Sequence, residues 1–340
     1  MKIAPINISK VAASAGVSTA TVSRVINQNA YVSPSTAERV WRAVRELGYR
    51  PNTHARALAS GRSRLLGLII SDIANPFFPE LVKSFETVAI SKGYDVLVAN
   101  TNYSSTRMAM CVHRMIERKV DGVAIMTSEL DKHLVQELSE SEMPAVFLDI
   151  GKAGRNTSNI TVDYGNGVRE AIQHLRALAH RRIGFISGPL KLKSAQARYA
   201  AFLRCLRDYG VSERQRIIVE GNHRIDGGEA AIQRLLADPV PPTAVLASND
   251  LTAIGALRGI SYAGLRVPED ISVIGFDDIE LSQFTQPALT TVRLSRDDLG
   301  RAAFEALATT IEGEADRGLE IPVSTHLVIR ETTARALRSS

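Results

Sequence analysis

The residues with the clearest chemical potential lie near the start of the chain, in the segment ISKVAASAGVSTATVSRVIN at 8–27. Its small and apolar residues are spaced as in two short helices that meet at a turn, where Gly16 permits a sharp change of direction. The second helix would present Thr19, Ala20 and Arg24 outward. Such a helix fits the major groove of DNA, where an arginine can donate two hydrogen bonds to guanine. A helical hairpin with no role on DNA has the same spacing.

The distribution of charge favours the DNA-binding alternative. Residues 1–64 hold ten lysines and arginines and two acidic residues, which gives this segment a net charge of +8. The remaining 31 basic and 34 acidic residues give the rest of the chain a net charge of −3. A basic head on a mildly acidic body is typical of a module that binds a polyanion and is joined to a second, different module.

A second group of polar residues indicates a ligand site. Asp149, Asn249 and Asp277 each follow a short apolar run that is typical of a buried strand. Ligands of open α/β sheets bind beyond the carboxyl ends of the strands, where these three residues would lie. Asp and Asn are also common in turns and as helix caps, so that alternative stays open. Asp277 and Asp278 are adjacent and would point to opposite sides of a strand, which excludes a paired acid and base.

The sequence contains no motif for catalysis, a cofactor or a metal. It lacks GxxxxGK[ST], GxGxxG, GxSxG, CxxC and HExxH, and its seven histidines show no metal-ligand spacing. Cys111 and Cys205 are too few for a disulfide framework. No apolar run reaches the roughly 18 residues of a membrane span, and no compact apolar signal segment opens the chain. We therefore expect a cytoplasmic protein with no cofactor and no membrane partner.

Two patterns of elements must position these residues. Before residue 50 we expect three helices, the third with Ala37, Val40, Trp41, Val44 and Leu47 on its inner face. From Leu65 onward we expect strands at 65–70, 95–99, 122–126, 145–148, 183–187, 244–247 and 273–276. The helices expected between them lie near 78–92, 105–119, 129–140, 165–179, 194–209, 225–237 and 250–263. This alternation predicts parallel sheets covered on both faces, and its length favours two lobes, with the polar stretch 149–160 crossing between them.

Several motifs, in the same order, resemble those of the LacI/GalR family of bacterial repressors over nearly the whole chain. They are GVSTATVSRVIN at 16–27, YVSPSTAERVWRAVRELGYRPN at 31–52, ARAL at 55–58, NPFF at 75–78, DGVAI at 121–125, HRRIGFISGP at 180–189, SND at 248–250, VIGFDD at 273–278, LTTVR at 289–293 and VIRETT at 328–333.

The resemblance implies an all-α helix-turn-helix head at 1–50, a hinge helix and linker at 51–64, and an α/β core at 65–340. The core would have two doubly wound parallel-sheet lobes like those of the periplasmic sugar-binding proteins. Lobe 1 would comprise about 65–163 and 293–322, and lobe 2 about 164–292 and 323–340. The resemblance also implies a homodimer.

The resemblance assigns DNA contacts to the head and the hinge. The residues are Ser18, Thr19, Ala20, Thr21, Ser23, Arg24, Asn27, Tyr49, Asn52, Ala55, Arg56 and Leu58. A hinge helix at about 53–59 would be too short to be stable alone, so it should form only when paired with its dimer mate on DNA. Leu58 would then act as a wedge that opens the central base step of a palindromic operator.

The resemblance likewise places an effector pocket in the core. Its residues are Asp72, Phe77, Phe78, Asp149, Ser194, Arg198, His223, Asn249, Asp277 and Arg296. Many relatives carry an aromatic residue where this chain has His223, so a stacked purine is less favoured here. Arg198, His223 and Arg296 together could bind a carboxylate, which leaves a neutral sugar and a sugar acid as open alternatives.

The function implied is that of a sequence-specific transcriptional regulator, a repressor of carbohydrate-utilisation genes that an effector releases from double-stranded operator DNA. A corepressor-dependent regulator with a nucleobase or phosphosugar effector is an alternative. A sugar-binding protein that does not bind DNA would lack the basic head. A sugar-metabolising enzyme would need a nucleotide loop or a catalytic cluster.

Overall fold

The computed structural model describes residues 6–26, 32–50, 61–127, 132–149, 153–212, 216–313 and 317–337. The chain divides into two units, the head at Met1–Ser63 and the core at Arg64–Ser340. The described part of the head is helical, and the core alternates strands with helices. The predicted fold class, an all-α head with an α/β core, is therefore confirmed.

Three helices build the described part of the head: α1 (Ile8–Ala15), α2 (Thr19–Ile26) and α3 (Pro34–Leu47). The side chains of Asn7, Ser18 and Ser33 each accept a hydrogen bond from the backbone amide three residues on, at 3.1, 3.1 and 3.4 Å. Gly16 and Gly48 follow α1 and α3 with φ of 64° and 61°, a backbone conformation that glycine adopts without strain.

Small aliphatic side chains form the core of the head. The buried residues are Val11, Ala12, Ala15, Val22, Val25, Val40, Ala43 and Val44. Trp41 was expected on the inner face of α3, and this prediction is wrong, because its side chain is 37% exposed. A core of alanines and valines lets three short helices approach closely and leaves little room for an indole ring.

The described part of the core contains eleven strands and eight α-helices. In chain order they are β1 (Leu65–Ile70), α4 (Phe77–Ser91), β2 (Asp95–Asn100), α5 (Ser105–Glu117), β3 (Gly122–Met126), α6 (Lys132–Glu140), β4 (Ala145–Leu148), β5 (Thr157–Asp163), α7 (Tyr164–Ala177), β6 (Ile183–Ser187), α8 (Lys193–Asp208), β7 (Ile217–Glu220), α9 (Ile225–Leu236), β8 (Ala244–Ala247), α10 (Asp250–Tyr262), β9 (Ser272–Asp277), β10 (Thr290–Leu294), α11 (Arg296–Glu312) and β11 (Glu320–Val328).

The strands lie in the order β2-β1-β3-β4-β5-β11-β10-β9-β8-β6-β7. Strands β1 to β5 and the first half of β11 form one sheet, and β6 to β10 and the second half of β11 form another. We call the first sheet with α4, α5, α6 and α11 lobe 1, and the second sheet with α7 to α10 lobe 2. In lobe 1, residues of α4 and α11 pack on one face of the sheet and residues of α5 and α6 on the other. The neighbouring strands pair in parallel except for β10 with β11. In lobe 2, residues of α7 and α8 pack on one face of the sheet and residues of α9 and α10 on the other, so both lobes are doubly wound.

Strand β11 belongs to both lobes. Its first half, 320–324, pairs in parallel with β5, and its second half, 325–328, pairs antiparallel with β10. The chain passes between the lobes at three places: between β5 and α7, between β10 and α11, and within β11. The lobes are therefore joined by three strand ends rather than by one linker.

Some elements of the core were not predicted. The stretch 149–160 was expected to be a polar crossover, but β5 begins at Thr157. Its polar residues are buried because they bond to the segment beside them: the Ser158 hydroxyl accepts from Leu319 N at 2.9 Å, and the Asn159 amide donates to Glu320 at 3.0 Å. Strand β5 was not predicted because it contains buried polar side chains and so lacks the apolar pattern that identified the other strands. The strands β7, β10 and β11 and the helix α11 were also missed.

Two searches of the described residues gave negative results. Within the ranges above, no helix combines the length and the apolar character needed to cross a bilayer. The same residues contain no group of three or more His, Cys, Asp or Glu side chains placed to hold a metal ion.

Candidate functional site

The outward face of α2 presents the residues that were expected to read DNA. Ser18, Thr19, Ala20 and Arg24 are exposed, whereas Thr21 and Ser23 are half-buried. Val22 and Val25 pack inward and fix the rotation of the helix on its neighbours. Tyr49, the residue after Gly48, is half-buried and packs on the core of the head. The predicted contacts Asn27, Asn52, Ala55, Arg56 and Leu58 lie outside the described residues.

A small cavity of about 50 Å³, partly open to solvent, lies between the two lobes of the core. It is bordered by the carboxyl ends of β1, β3, β4, β8 and β9 and by the first turns of α4, α7 and α8. Seven of the ten predicted effector residues line it, namely Phe77, Phe78, Ser194, Arg198, His223, Asn249 and Asp277. The structure therefore brings together residues that are up to 200 positions apart in the sequence.

Arg198 lies at the centre of the cavity wall and is buried. Its guanidinium donates to the Ser248 carbonyl and to the Asp277 carboxylate, the latter at 3.2 Å. The guanidinium carbon also lies 4.0 Å from the centroid of the Phe276 ring and 5.1 Å from that of Tyr164. Its Nε is buried and has no hydrogen-bond partner among the described residues.

Asp277, the partner of Arg198, is the last residue of β9. Burial raises the pKa of its carboxyl to about 6, and the positive charges of Arg198 and Arg296 oppose this rise. The pair of Arg198 and Asp277 places opposite charges together in the cavity, so much of the positive charge of Arg198 is already compensated.

His223 is buried beside Arg198 and is neutral at physiological pH. Burial lowers the pKa of its imidazole to about 3, and the charge of Arg198 acts in the same direction. One ring nitrogen, Nε2, lies 2.8 Å from the Ser248 hydroxyl. A neutral imidazole can donate or accept a hydrogen bond, but it offers no charge to an anion.

Asn249 has the capping role that the sequence left open, and it also lines the cavity. Its side-chain oxygen accepts from Thr252 N at 2.9 Å and so caps α10, while its amide nitrogen donates to the His223 carbonyl at 3.1 Å. Asn249 thereby ties the loop that carries His223 to the loop that follows β8.

Three predicted residues do not line this cavity, and each has a structural partner. Asp72 pairs with Arg224 at 3.6 Å. Asp149 accepts from Val162 N at 2.8 Å and from the Tyr164 hydroxyl at 2.7 Å, and burial raises the pKa of its carboxyl. Arg296 pairs with Glu80 at 2.9 Å. These contacts satisfy the polar groups that had been expected to face the effector.

The sequence reasoning missed part of the cavity wall. The additional residues are Ser71, Asn75, Tyr103, Met126, Thr127, Leu148, Tyr164, Leu192 and Leu294. Ser71 and Thr127 directly follow β1 and β3, and their hydroxyls lie 2.9 Å apart. The position after a predicted strand, which selected Asn249, would also have selected these two hydroxyls.

Several residues in or next to the cavity wall have positive φ. Asp149, His223, Asp277 and Asp278 have φ of 59°, 62°, 117° and 57°, values that non-glycine residues adopt rarely. Such conformations cost about 1–3 kcal/mol each and persist where the surroundings enforce them. Three of these four residues had been selected as effector ligands.

Comparisons with known proteins relate both units to characterised relatives. A profile of bacterial regulatory proteins of the lacI family matches residues 7–52, and a profile of the periplasmic binding protein-like domain matches residues 172–333. Catabolite control protein A of Priestia megaterium is 33% identical over 329 residues, which cover 96% of this chain and 99% of that protein. The HTH-type transcriptional repressor PurR of Erwinia tasmaniensis is 34% identical over 329 residues and 96% of each chain.

Solved structures show the same relationship. The Lac repressor dimer bound to operator and the anti-inducer ONPF has a TM-score of 0.86 and 33% identity, with 97% of this chain and 99% of that chain covered. The transcriptional regulator CelR in complex with cellobiose has a TM-score of 0.71 and 31% identity, with 96% and 100% covered.

Proposed function

Because the chain belongs to the LacI family of bacterial regulatory proteins, we propose that its head binds an operator as a homodimer while its core binds a small effector. Like these relatives, the chain is a DNA-binding transcriptional regulator and not an enzyme. The Lac repressor dimer bound to operator supports both the dimer and the DNA partner. Binding to chromosomal DNA would place the protein in the cytoplasm.

The exposed face of α2 carries the proposed sequence reading. Arg24 is exposed on the same face as Thr19 and Ala20, so it can reach a guanine edge while the two small residues admit the helix to the groove. The basic residues of the head would supply contacts to phosphates. Leu58 remains the proposed minor-groove wedge, and Leu58→Ala should weaken operator binding without changing effector binding.

A neutral sugar is the effector that the cavity favours. Arg198 is paired with Asp277, His223 is neutral, and Arg296 is paired with Glu80. None of these three side chains therefore offers an uncompensated positive charge to a carboxylate. The hydroxyls, amides and aromatic rings that remain suit a polyol, and CelR with cellobiose is a related protein with a sugar ligand. The carrying observation is the pairing of Arg198 with Asp277 beside the uncharged His223.

The proposed response is induction. An effector that binds between the lobes would favour one arrangement of the lobes over another, and the operator would favour the other arrangement. A hundredfold loss of operator affinity needs only about 2.7 kcal/mol of coupling. A few hydrogen bonds formed in only one arrangement can supply this free energy.

Two experiments test the proposal. Selection of random duplex DNA by the full chain should yield a palindromic site, with affinity that falls steeply as salt increases. Recovery of no sequence preference would contradict the regulator.

A thermal-shift panel should then contain ribose, glucose, galactose and cellobiose beside gluconate and galacturonate. We expect the largest stabilisation from a neutral sugar, about 2.7 kcal/mol at one hundred times its dissociation constant. A shift with only the two acids would reject the neutral-sugar proposal and favour the sugar-acid alternative.

A further inference from the structure

The segment 277–280, which begins with the last residue of β9, is held by side-chain contacts along its length. The Asp277 carboxylate bonds to Arg198, and the Asp278 carboxylate bonds to Arg293 and Arg330, both at 2.6 Å. The next amide, of Ile279, donates to a carboxylate oxygen of Asp250 at 2.8 Å. Because two of its residues have positive φ, this segment needs such contacts to keep its conformation.

Two further contacts come from the opposite lobe. Glu80, in the first turn of α4, accepts a hydrogen bond from the Glu280 amide at 3.1 Å. Its other carboxylate oxygen lies 2.9 Å from Arg296, and Arg296 donates to the Asp277 carbonyl at 2.7 Å. Both side chains are mostly buried, with 25% and 17% exposed. The Glu80–Arg296 pair therefore binds the backbone of lobe 2 at both ends of the segment.

The two residues of this pair belong to one rigid part of lobe 1. Helices α4 and α11 approach so closely that a Cβ on Gly300 would lie 2.5 Å from the Ser84 hydroxyl and 2.8 Å from Phe85 N. Phe77 and Phe78, one turn before Glu80, line the cavity. The helix that contributes an aromatic wall to the cavity thus also holds the segment that carries Asp277.

We propose that Glu80 and Arg296 are positioning residues for the effector cavity, which fix segment 277–280 to lobe 1 and so hold the Asp277 carboxylate against Arg198. This inference rests on the proposed function because Asp277 lines the proposed effector cavity. It assigns Arg296 a role that acts through Asp277 in place of direct contact with the effector.

The pair also acts on Asp277 through charge, and its two members act in opposite directions. Glu80 raises the pKa of the Asp277 carboxyl, and Arg296 lowers it. The charged and titratable groups around this carboxyl are Arg198 on α8, Arg296 on α11, Glu80 on α4, Asp250 on α10 and Tyr164 on α7.

Hydrogen exchange followed by mass spectrometry tests the contact to the backbone, with no effector added. In Glu80→Ala we expect exchange in a peptide covering 277–284 to accelerate roughly tenfold, because the Glu280 amide loses its acceptor. Glu80→Gln keeps an acceptor oxygen and should stay near the wild-type rate. Glu86→Ala, an exposed glutamate on the same helix, is the matched control and should change nothing in this peptide.

Exchange in the buried strand β6 distinguishes a local effect from general unfolding. It should stay at the wild-type rate in every variant. If Glu80→Ala leaves the 277–284 peptide at the wild-type rate, or accelerates β6 equally, the inference is rejected.

A titration of Asp277 distinguishes positioning through charge from a purely structural contact. Selective ¹³C labelling of aspartate carboxyls, with Asp277→Asn for assignment, follows this group. We expect its pKa to fall in Glu80→Gln and to rise in Arg296→Gln. A packing defect common to the two variants would shift the pKa in the same direction in both, and that result would overturn the inference.

These measurements are independent of the effector class. If the sugar panel produces no shift, the exchange and titration results still decide the role of the pair. A second outcome is that a neutral sugar stabilises the protein in the thermal-shift panel while Glu80→Ala keeps wild-type hydrogen exchange and wild-type sugar affinity. That result would support the proposed regulator and reject the positioning role of Glu80 and Arg296.

Discussion

The outward face of α2 and the cavity of the core are built in opposite ways. The α2 face comes from eight consecutive residues, is exposed, and relies on unstrained helical backbone. The cavity is assembled from loops and helix starts of both lobes, is lined mostly by buried side chains, and contains several residues with positive φ. Side chains on a local, exposed surface can be substituted without disturbing the fold. A buried site of paired charges makes binding and stability depend on the same residues.

The largest test of this contrast is Arg198→Ala in the cavity. Removal of one member of a buried ion pair typically costs 3–5 kcal/mol of stability, and the effector response should be lost with it. Thermal unfolding and gel shifts with the sugar panel measure both effects. Operator binding should persist below the lowered melting temperature.

Arg204→Ala is the control for Arg198→Ala because Arg204 is an exposed arginine on the same helix. It should leave stability and effector response unchanged. An Arg198→Ala protein with normal stability and normal sugar affinity would show that the cavity does not couple the two properties.

Arg24→Ala is the corresponding change on the α2 face. A specific arginine–guanine contact is worth about 1–3 kcal/mol, so operator affinity should fall roughly 5- to 150-fold with no loss of thermal stability. Arg24→Lys keeps the charge but not the paired hydrogen bonds, and it should lose most of the sequence preference. Equal affinity of Arg24→Lys and the wild type for the selected site would mean that Arg24 contacts only phosphate.

The pH dependence of stability offers a third test, through His223→Gln. Because the folded pKa of about 3 lies below the unfolded value of 6.5, the unfolded state binds a proton that the folded state does not. The free energy of unfolding should therefore fall as pH drops below 6.5, by about 2 kcal/mol at pH 5. His223→Gln should remove this component, as measured by denaturant unfolding from pH 7 to 5.

Asp277 contributes with the opposite sign to the same titration. Its folded pKa of about 6 lies above its unfolded value, so protonation stabilises the folded state as pH falls from 6 toward 4. The comparison of wild type with His223→Gln cancels this contribution. His113→Gln, at a histidine whose side chain is 58% exposed, is the control. A His223→Gln protein with the wild-type pH profile would disprove the buried, neutral imidazole.

The smallest expected effect is that of Gly16→Ala, at the turn of the head. A Cβ at this position would meet no atom within 4 Å, so only the backbone conformation at φ 64° opposes the change. The cost should be about 1 kcal/mol of stability, with operator specificity retained, as measured by thermal unfolding and gel shift. A loss of several kcal/mol would show that the head is as tightly constrained as the cavity.

The same contrast explains what the sequence could predict. The helix boundaries of the head follow from local residue types: Asn7 and Ser33 cap the starts of α1 and α3, and Gly16 and Gly48 follow their ends. The buried apolar strands of the core were predicted from the sequence equally well. Strand β5 was not, because its Ser158 and Asn159 are satisfied by a segment about 160 residues later in the chain.

The lining of the cavity was only partly predictable for a similar reason. Residue type and position select Asn249 or Arg296 as possible ligands, but partners decide whether a polar group is free. Glu80, which pairs with Arg296, carries no local signal of that role. The compensation of charge that favours a neutral sugar is therefore visible only once the chain is folded.

The sharing of β11 between the lobes has a consequence for synthesis of the protein. Lobe 1 acquires α11 and the first half of β11 only after the ribosome has made about 160 residues beyond β5. At 5–20 residues per second this interval lasts roughly 8–30 s. During it, the free edge of β5 has no neighbouring strand from its own chain, which makes it a site for wrong pairing with other nascent chains. Slower translation of residues 164–319 should therefore reduce the yield of native protein, whereas slower translation of the head should not.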